Sequence, residues 1–352
     1  MLLKVILIQA APDLESVRPA AAFTLKAILW CKVYARDIIA ARTSWLRGAP
    51  MFRCTVISLL AFFSIVSNAS AQTCVGSPVA VQILGSGGPA INPERASAGY
   101  LLWVGSQAKL LFDIGGGTYI RFGQSRAKLA DLAMVGISHL HPDHTSDLAA
   151  LMWGSNRIRS EPLPIVGPSG NDVAPDFATF LGRMFDAKTG AYQVLGSTLG
   201  VEQPGAERPR FDVSVVDVTK TEPTKVFDRD GISVAALRIP HANLPTLAYR
   251  VLTRGVSVVF SSDQNGTDPK FVDFAKNANV LVMHLAIAAN APPSPLHASP
   301  ALVGRLGQEA GAKKMILGHI GQFDLDAAIA DVKKSYTGSL TVGSDLQCTQ
   351  VQ

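Results

Sequence analysis

Short hydrophobic runs, separated by polar and glycine-containing stretches, follow one another along the chain from residue 79 onward. Runs of about four to eight such residues are typical of buried strands, and longer amphipathic stretches are typical of helices. In the first half the pattern predicts strands at Val79–Leu84, Tyr100–Val104, Lys109–Asp113 and Ala133–Ser138, helices at Ser146–Trp153 and Asp172–Phe185, and an exposed loop rich in glycine and proline at Leu195–Arg210.

The second half of the chain repeats this alternation. It predicts strands at Phe211–Val218, Ile232–Ile239, Thr246–Leu252, Ser257–Ser261, Val280–Met283 and Lys314–Leu317, with helices at Pro269–Ala275, Pro300–Ala310 and Leu325–Lys334. Two strand-rich halves whose helices cover their outer faces favour an α/β fold, a four-layer αββα sandwich. Because the strand ends then point their loops at a shared edge, a functional site is expected there.

The excess positive charge is confined to the beginning of the chain. The 352 residues carry a formal net charge of +5. Residues 1–71 contain 8 Lys or Arg and 3 Asp or Glu, whereas residues 72–352 contain 24 of each kind. The longer part therefore has no net charge to attract a polyanion, and we expect no nucleic-acid partner. A hydrophobic content of 48% with 17% charged residues excludes a disordered chain.

A secretory signal peptide is predicted at residues 51–71. Met51-Phe52-Arg53 forms a positive start, Thr55–Val66 an apolar core, and Ala69-Ser70-Ala71 a cleavage site of small residues. The core is short for a membrane span, although a buried helix or a membrane anchor is the alternative interpretation. We therefore expect a periplasmic or secreted protein, with no stable membrane span after cleavage.

Residues 1–50 precede a methionine that already begins a complete signal sequence. We interpret them as an over-extended N-terminus, with translation starting at Met51; the alternative is a membrane-associated leader that uses Phe23–Ala40. Residues 72–352 then form the functional domain. Of the 4 cysteines, only Cys74 and Cys348 lie in this domain, one near each end. In an oxidising compartment they are expected to form a disulfide, with two unpaired thiols as the alternative.

Three of the 7 histidines lie within six residues, in His139-Leu140-His141-Pro142-Asp143-His144. They follow a predicted buried strand and so lie on the loop at its end. Imidazole nitrogens are suited to zinc, and alternation along an extended chain points His139 and His141 to one side. Asp143 and His144, after a turn at Pro142, are free to serve a second position. One loop can therefore present ligands to two metal ions.

The spacing His-x-His-x-Asp-His resembles the signature of the metallo-β-lactamase superfamily. Further similarity covers most of residues 77–342: Leu84–Pro89 and Leu111–Gly115 resemble the opening of the ribonuclease Z-like and arylsulfatase-like branch, and Gly167-Pro168-Ser169-Gly170 resembles its Gly-Pro-x-Gly turn. The resemblance implies the metallo-β-lactamase fold and a metal-dependent hydrolase.

The remaining ligands follow from the resemblance, position by position. It implies one metal site with His139, His141 and His241, a second with Asp143, His144 and His319, and a bridging Asp263. Each of the three distant residues also ends a predicted apolar strand. Two Zn²⁺ ions fit this nitrogen-rich set, with Fe or Mn as alternatives.

Three further residues have expected or open roles. Asp113, at a strand end, is expected to hold a ligand histidine by its second ring nitrogen. His297 resembles the histidine that phosphodiesterase-like members place near the leaving group, so His297 and Asp143 are the predicted catalytic residues. Those members often have a His-Glu pair where this chain has His284-Leu285, which leaves the role of His284 open.

The substrate is narrowed by the predicted export, the neutral domain and the spacing of His241 and Asp263. Only 22 positions separate these two residues, which leaves no room for the RNA-gripping arm of ribonuclease Z proper. We therefore expect an exported binuclear zinc hydrolase of a small phosphodiester or sulfate ester, acting through a metal-bound hydroxide. The alternatives are a lactonase or β-lactamase-like hydrolase, and a non-catalytic periplasmic metal-binding protein.

Overall fold

A computed structural model describes residues 74, 76–155, 158–159, 161–199 and 211–352. The predicted signal peptide, the N-terminal extension and most of the predicted loop up to Arg210 lie outside these residues. The described strands are β1 Val79–Gly85, β2 Gly99–Val104, β3 Gln107–Phe112, β4 Met134–Gly136, β5 Leu163–Pro168, β6 Phe211–Val216, β7 Thr224–Arg229, β8 Ile232–His241, β9 Leu244–Thr253, β10 Val256–Phe260, β11 Val280–His284, β12 Lys314–Gly318, β13 Ser339–Val342 and β14 Cys348–Gln350.

The described helices are short, with four to ten residues each. They are α1 Thr118–Gln124, α2 Pro142–Thr145, α3 Leu148–Ser155, α4 Phe177–Phe185, α5 Lys270–Phe274, α6 Pro300–Glu309 and α7 Leu325–Lys333, with 3₁₀ turns at Leu129–Asp131 and Gln193–Leu199. None of the helices in the described ranges is long and apolar enough to cross a membrane.

Two helix and loop predictions need correction. The helix predicted from Asp172 begins only at Phe177, because the Asn171 side chain accepts hydrogen bonds from the backbone of Val173 and Ala174 and Asp176 then caps the helix. The predicted exposed loop begins instead as the 3₁₀ turn Gln193–Leu199, whose Leu195 is buried.

The strands form two seven-stranded sheets of similar design. The first has the order β14-β1-β2-β3-β4-β5-β6, and the second has the order β13-β12-β11-β10-β9-β8-β7. In each sheet a run of antiparallel strands meets a run of parallel ones: pairing is parallel from β3 to β6 and from β10 to β13. The carboxyl ends of the parallel strands within each sheet therefore lie at one edge.

Alternating side chains along the strands define the four layers. Val79, Val81 and Ile83 of β1 pack between the sheets with residues of the second sheet such as Val258, whereas Ala80 packs with the helices on the outer face. A third buried cluster joins the outer face of the second sheet to α5–α7. The predicted αββα sandwich is thereby confirmed.

Cys74 and Cys348 form a disulfide, with their Cα atoms 5.6 Å apart. Although they lie near the two ends of the domain in sequence, both cysteines are part of its packed core. Cys348 belongs to β14, which pairs with β1, and both cysteines are buried in the hydrophobic cluster beneath α1, α3 and α4. The bond therefore fastens the C-terminal edge strand to the start of the described domain.

Replacing Cys348 with Ser is expected to lower the melting temperature without changing turnover at a temperature where both proteins are folded. The disulfide spans 274 positions, so its loss frees a very long loop in the unfolded chain and costs roughly 5 kcal/mol at most. For a domain of this size that corresponds to about 10 °C. Calorimetry with and without reductant measures the shift. A reductant that lowers the melting temperature of the variant as much as that of the parent would contradict this assignment.

Candidate metal centre

The ends of several strands bring polar side chains to one edge of the sandwich. Asp113 follows β3, His139 follows β4, His241 ends β8, Asp263 follows β10 and His319 follows β12. The backbone N–H of Leu247 in β9 donates to the Ser138 carbonyl, 2.9 Å away, and so joins the second sheet to the first beside these residues. The edge shared by the two sheets therefore carries the predicted site residues.

Left-handed backbone conformations mark these strand ends. Asp113, Ala242, Ser262 and His319 have φ of 56°, 46°, 51° and 47°. Non-glycine residues enter this region at a cost of about 1–3 kcal/mol, and such residues cluster at functional sites. Each sharp turn lies at or next to a predicted site residue, so the strain is concentrated where side chains must be aimed.

The loop from His139 to His144 is held against the first sheet by close backbone contacts. Pro142 begins the short helix α2, and the Ile114 N–H donates to the His144 carbonyl at 2.9 Å. A Cβ atom at Gly115 would lie 1.9 Å from the Asp143 carbonyl oxygen. Only glycine permits this approach, which fixes Asp143 and His144 relative to β3.

Three histidine rings converge on one point. His139 Nε2 lies 3.0 Å from His141 Nδ1, and His241 Nε2 lies 3.4 Å from the same atom. His139 and His241 are buried, and His141 lies at the surface of the cluster. Ligand atoms bound at about 2.0–2.1 Å to one zinc ion are separated by such distances.

A second group lies beside the first. His319 Nε2 is 3.0 Å from Asp143 Oδ2, and His144 Nε2 is 3.6 Å from that oxygen. Gly88 packs against the His319 ring so closely that a Cβ atom there would lie 2.6 Å from Cε1. The ring is therefore confined to its position in this group.

Asp263 lies between the two groups. Its Oδ2 atom is 3.1 Å from His319 Nε2, 3.5 Å from His144 Nε2 and 3.9 Å from His241 Nε2. The side chain is buried, and its Oδ1 atom has no hydrogen-bond partner among the described residues. This placement is compatible with a carboxylate shared between two ions.

Asp113 and Ser138 orient the histidines from behind. Asp113 Oδ2 lies 2.8 Å from His144 Nδ1, and its two oxygens accept hydrogen bonds from the backbone and hydroxyl of Ser138, both 2.8 Å long. The Ser138 hydroxyl also lies 3.0 Å from His139 Nδ1. Ser138 was not singled out in the sequence, although its position directly before the histidine loop is a usable signal.

Burial and neighbouring charges shift the pKa values of the site residues. Burial lowers the pKa of His139 well below its usual value. Burial also opposes the charged form of His319, but the carboxylates of Asp263 and Asp143 outweigh it and raise the pKa of that ring to about 9. Despite its burial, the neighbouring His319 and His144 rings hold the pKa of Asp263 well below its usual range. The carboxylates of Asp143 and Asp263 therefore stabilise positive charge at the centre of the site.

His297 lies on the loop that approaches the centre from the second sheet. The ring is partly buried, with Nδ1 at 4.0 Å from Asp263 Oδ2. The Leu296 carbonyl directly before it lies 2.7 Å from His241 Nδ1. Burial lowers the pKa of His297 to about 4. The ring therefore borders the predicted ligands and is held there through His241.

His284, whose role the sequence leaves open, ends β11 and is buried next to His297, with ring centroids 5.6 Å apart. Leu285 packs into the core beneath α5–α7. The side chain after His284 is thus directed away from the site.

The residues present fit bound metal ions. Four overlapping sets of three side chains each place their donor atoms within 4.8 Å of one another, among them His139–His141–His241 and Asp143–His144–His319. His144 Nε2 and Asp263 Oδ1 are buried polar atoms without a hydrogen-bond partner among the described residues. Such atoms are costly unless something binds them, and a metal ion between the rings and carboxylates would do so.

An αββα sandwich with a histidine- and aspartate-rich centre at the strand ends defines a metal-dependent hydrolase. The chain belongs to the beta-lactamase superfamily: the family described as "Beta-lactamase superfamily domain" matches residues 110–320. That segment includes Asp113 and all of the predicted metal ligands. The resemblance to the ribonuclease Z-like branch is confirmed by the curated relatives.

The chain aligns with proteins named ribonuclease Z over nearly the whole length of those proteins. The chain is 28% identical over 296 residues to ribonuclease Z of Mycolicibacterium paratuberculosis, covering 78% of this chain and 98% of that protein. Ribonuclease Z of Mycobacterium bovis is 26% identical over 291 residues, with 77% and 98% covered.

Solved structures share the fold. The short form of human tRNase Z superposes with a TM-score of 0.60 at 18% identity, covering 78% of this chain and 99% of that one. The metallo-β-lactamase fold protein YhfI from Bacillus subtilis has a TM-score of 0.59 at 21% identity, with 77% and 99% covered.

These relatives overturn the expectation of a hydrolase of a small ester that has no nucleic-acid partner, whereas the periplasmic or secreted location stays a prediction. The short segment between His241 and Asp263 does contain only the turn after β8, then β9 and β10. However, the M. paratuberculosis ribonuclease aligns over 98% of its own length, so chain length does not separate the two proteins. Nor does a neutral domain exclude an anionic substrate, because metal ions supply positive charge at the reacting phosphate.

Replacing Asp263 with Ala is expected to lower both metal content and hydrolytic activity. Removing a carboxylate placed between the two ligand groups takes away negative charge and a shared ligand, so at least one ion should bind more weakly. Metal analysis after gel filtration gives the number of ions per chain. The control is Asp176→Ala, which removes the cap of α4 away from the centre and should keep the metal. Two retained ions and parental turnover in Asp263→Ala would show that the carboxylate is not a shared ligand.

Proposed function

We propose that this protein is a zinc-dependent phosphodiesterase that hydrolyses RNA. The observation that carries the proposal is the convergence of both ligand groups on Asp263 Oδ2, in a fold whose relatives, aligned over nearly their full length, are named ribonuclease Z. A centre with two carboxylates and several imidazoles suits hydrolysis at a phosphate, where negative charge increases during the reaction.

The two groups would hold two zinc ions. His139, His141 and His241 would hold one ion, Asp143, His144 and His319 would hold the other, and Asp263 would contribute to both sites. When bound, the ions lower the pKa of a water molecule and offset the charge of the phosphate. Asp113 keeps the His144 ring oriented through the 2.8 Å contact at Nδ1, so that Nε2 faces the centre.

The chain's own residues assist the reaction from two sides. Asp143 is more exposed than the buried Asp113 and Asp263 and can accept a hydrogen bond from the attacking water. His297, on the opposite loop, donates a proton to the departing oxygen. Burial disfavours the charged His297 ring, but a bound phosphodiester adds negative charge beside it and favours protonation.

Purified full-length protein loaded with Zn²⁺ is expected to cleave RNA. The substrates are a transfer-RNA precursor with a 3′ extension, an unstructured RNA of equal length and the corresponding DNA, with product lengths measured on gels. A chromogenic phosphodiester reports whether the preparation is active. Chelation should abolish cleavage and added Zn²⁺ should restore it. Turnover of the chromogenic diester with every RNA left intact would disprove an RNA substrate.

His297→Ala is expected to slow substrates with alkoxide leaving groups by about 10²–10⁴-fold and to affect nitrophenolate substrates much less. A poor leaving group needs the proton that the ring supplies, whereas nitrophenolate departs without one. Rates on a matched pair of alkyl and nitrophenyl phosphodiesters make the comparison, with metal content measured in parallel. Equal losses on both substrates would remove the proton-donor role, and loss of a metal ion would make His297 a ligand instead.

A further inference from the structure

His284 lies at the carboxyl end of β11, between the strand that leads to Asp263 and the strand that leads to His319. Only 2% of its surface is exposed. It belongs to none of the ligand sets among the described residues. A buried histidine this close to a metal centre, yet outside the ligand sets, requires another explanation.

One hydrogen bond, at Nε2, indicates the tautomer of the His284 ring; its Nδ1 atom is buried and has no hydrogen-bond partner among the described residues. The backbone N–H of Ala298 has two acceptors: the Gln264 carbonyl oxygen at 2.7 Å and His284 Nε2 at 3.3 Å. Because Nε2 accepts, the proton of a neutral ring is on Nδ1. Burial supports the neutral form, since it lowers the pKa of His284 to about 3. The ring is thus a neutral acceptor directed at the backbone beside His297.

Hydrogen bonds hold the backbone on both sides of His297. Before it, the Leu296 carbonyl lies 2.7 Å from His241 Nδ1. After it, the Ala298 N–H donates to the Gln264 carbonyl at 2.7 Å and is also directed at His284 Nε2 at 3.3 Å. The His297 ring packs against the His284 ring, and its Nδ1 atom has no hydrogen-bond partner among the described residues. The direction of the His297 side chain therefore depends on its backbone anchors and on the His284 ring beside it.

We propose that His284 is a positioning residue, which holds His297 against the leaving-group side of the metal centre by accepting the Ala298 N–H and packing against the ring. The inference rests on the proposed phosphodiester hydrolysis and assigns no metal contact to His284. Leu285 does not share this role, because its side chain is buried in the core beneath α5–α7.

The test compares His284→Leu, which removes the acceptor, with His284→Gln, which keeps a polar acceptor of similar reach. In His284→Leu, rates on alkyl phosphodiesters should fall about 10–100-fold, less than the roughly 10²–10⁴-fold expected when the general acid itself is removed, while nitrophenyl phosphodiesters change less than about threefold. Metal content should be unchanged, and His284→Gln should recover most of the loss. Combined with His297→Ala, the Leu variant should cause no further slowing.

Equal losses on both leaving groups, additive losses in the double variant, or a missing metal ion would overturn the positioning role. If His284→Leu does not fold, as judged by circular dichroism, the Gln variant and the following measurement still decide. Long-range ¹H–¹⁵N spectra of the unaltered full-length protein should show His284 protonated at Nδ1 only. A proton on Nε2 would contradict the proposal, whether or not the protein hydrolyses RNA. Failure of RNA cleavage with the Nδ1 form observed would instead count against the proposed substrate.

Discussion

The arrangement of this domain depends on one buried carboxylate and the nitrogen atoms around it. Asp263 Oδ2 has ring nitrogens of His319, His144, His241 and His297 within 3.1–4.0 Å. An uncompensated carboxylate at this depth would cost several kcal/mol. Protonated rings and metal ions are the two sources of compensation that this environment accepts. Every element that ends at the centre must therefore arrive in register, which explains why the strained turns of both sheets are found there.

The layers of the fold follow from local pattern, because alternation along β1–β3 separates the inter-sheet core from the helix-covered face. Four of the described strands were not predicted: β5, β7, β13 and β14. The strands β7 and β13 are largely exposed and have no continuous hydrophobic run, and β14 has only three residues. The strand β5 is buried, but its two prolines and one glycine are typical of a turn. Helix α1, in Thr118–Gln124, was also missed, and its start is preceded by glycines that read as a loop.

Some residues of the candidate site are also evident from the sequence, and others are not. The loop from His139 to His144 is evident from the sequence, because three histidines within six residues are unusual. His241 and His319 are single histidines at strand ends, so only the resemblance to a family marked them. The contacts of Ser138, Gly115 and His284 depend on residues distant in sequence, and no local pattern reveals them.

The net charge of a domain and the charge at its reactive centre have different effects on an anionic substrate. Net charge summed over a domain measures long-range attraction, whereas hydrolysis needs positive charge at one bond. In this domain the positive charge would come from cations bound beside the carboxylates of Asp143 and Asp263. A domain with zero net charge is therefore compatible with an anionic substrate.

The bond between Cys74 and Cys348 makes the domain a covalent ring. Both sheets, and all of the candidate ligands, lie on the 274-position path between the two sulfur atoms. A protease that cuts this path once opens the ring into a linear chain but releases no fragment. The two halves that supply the ligands, one carrying His139 and the other His319, would then stay attached after a cut between them until the disulfide is reduced.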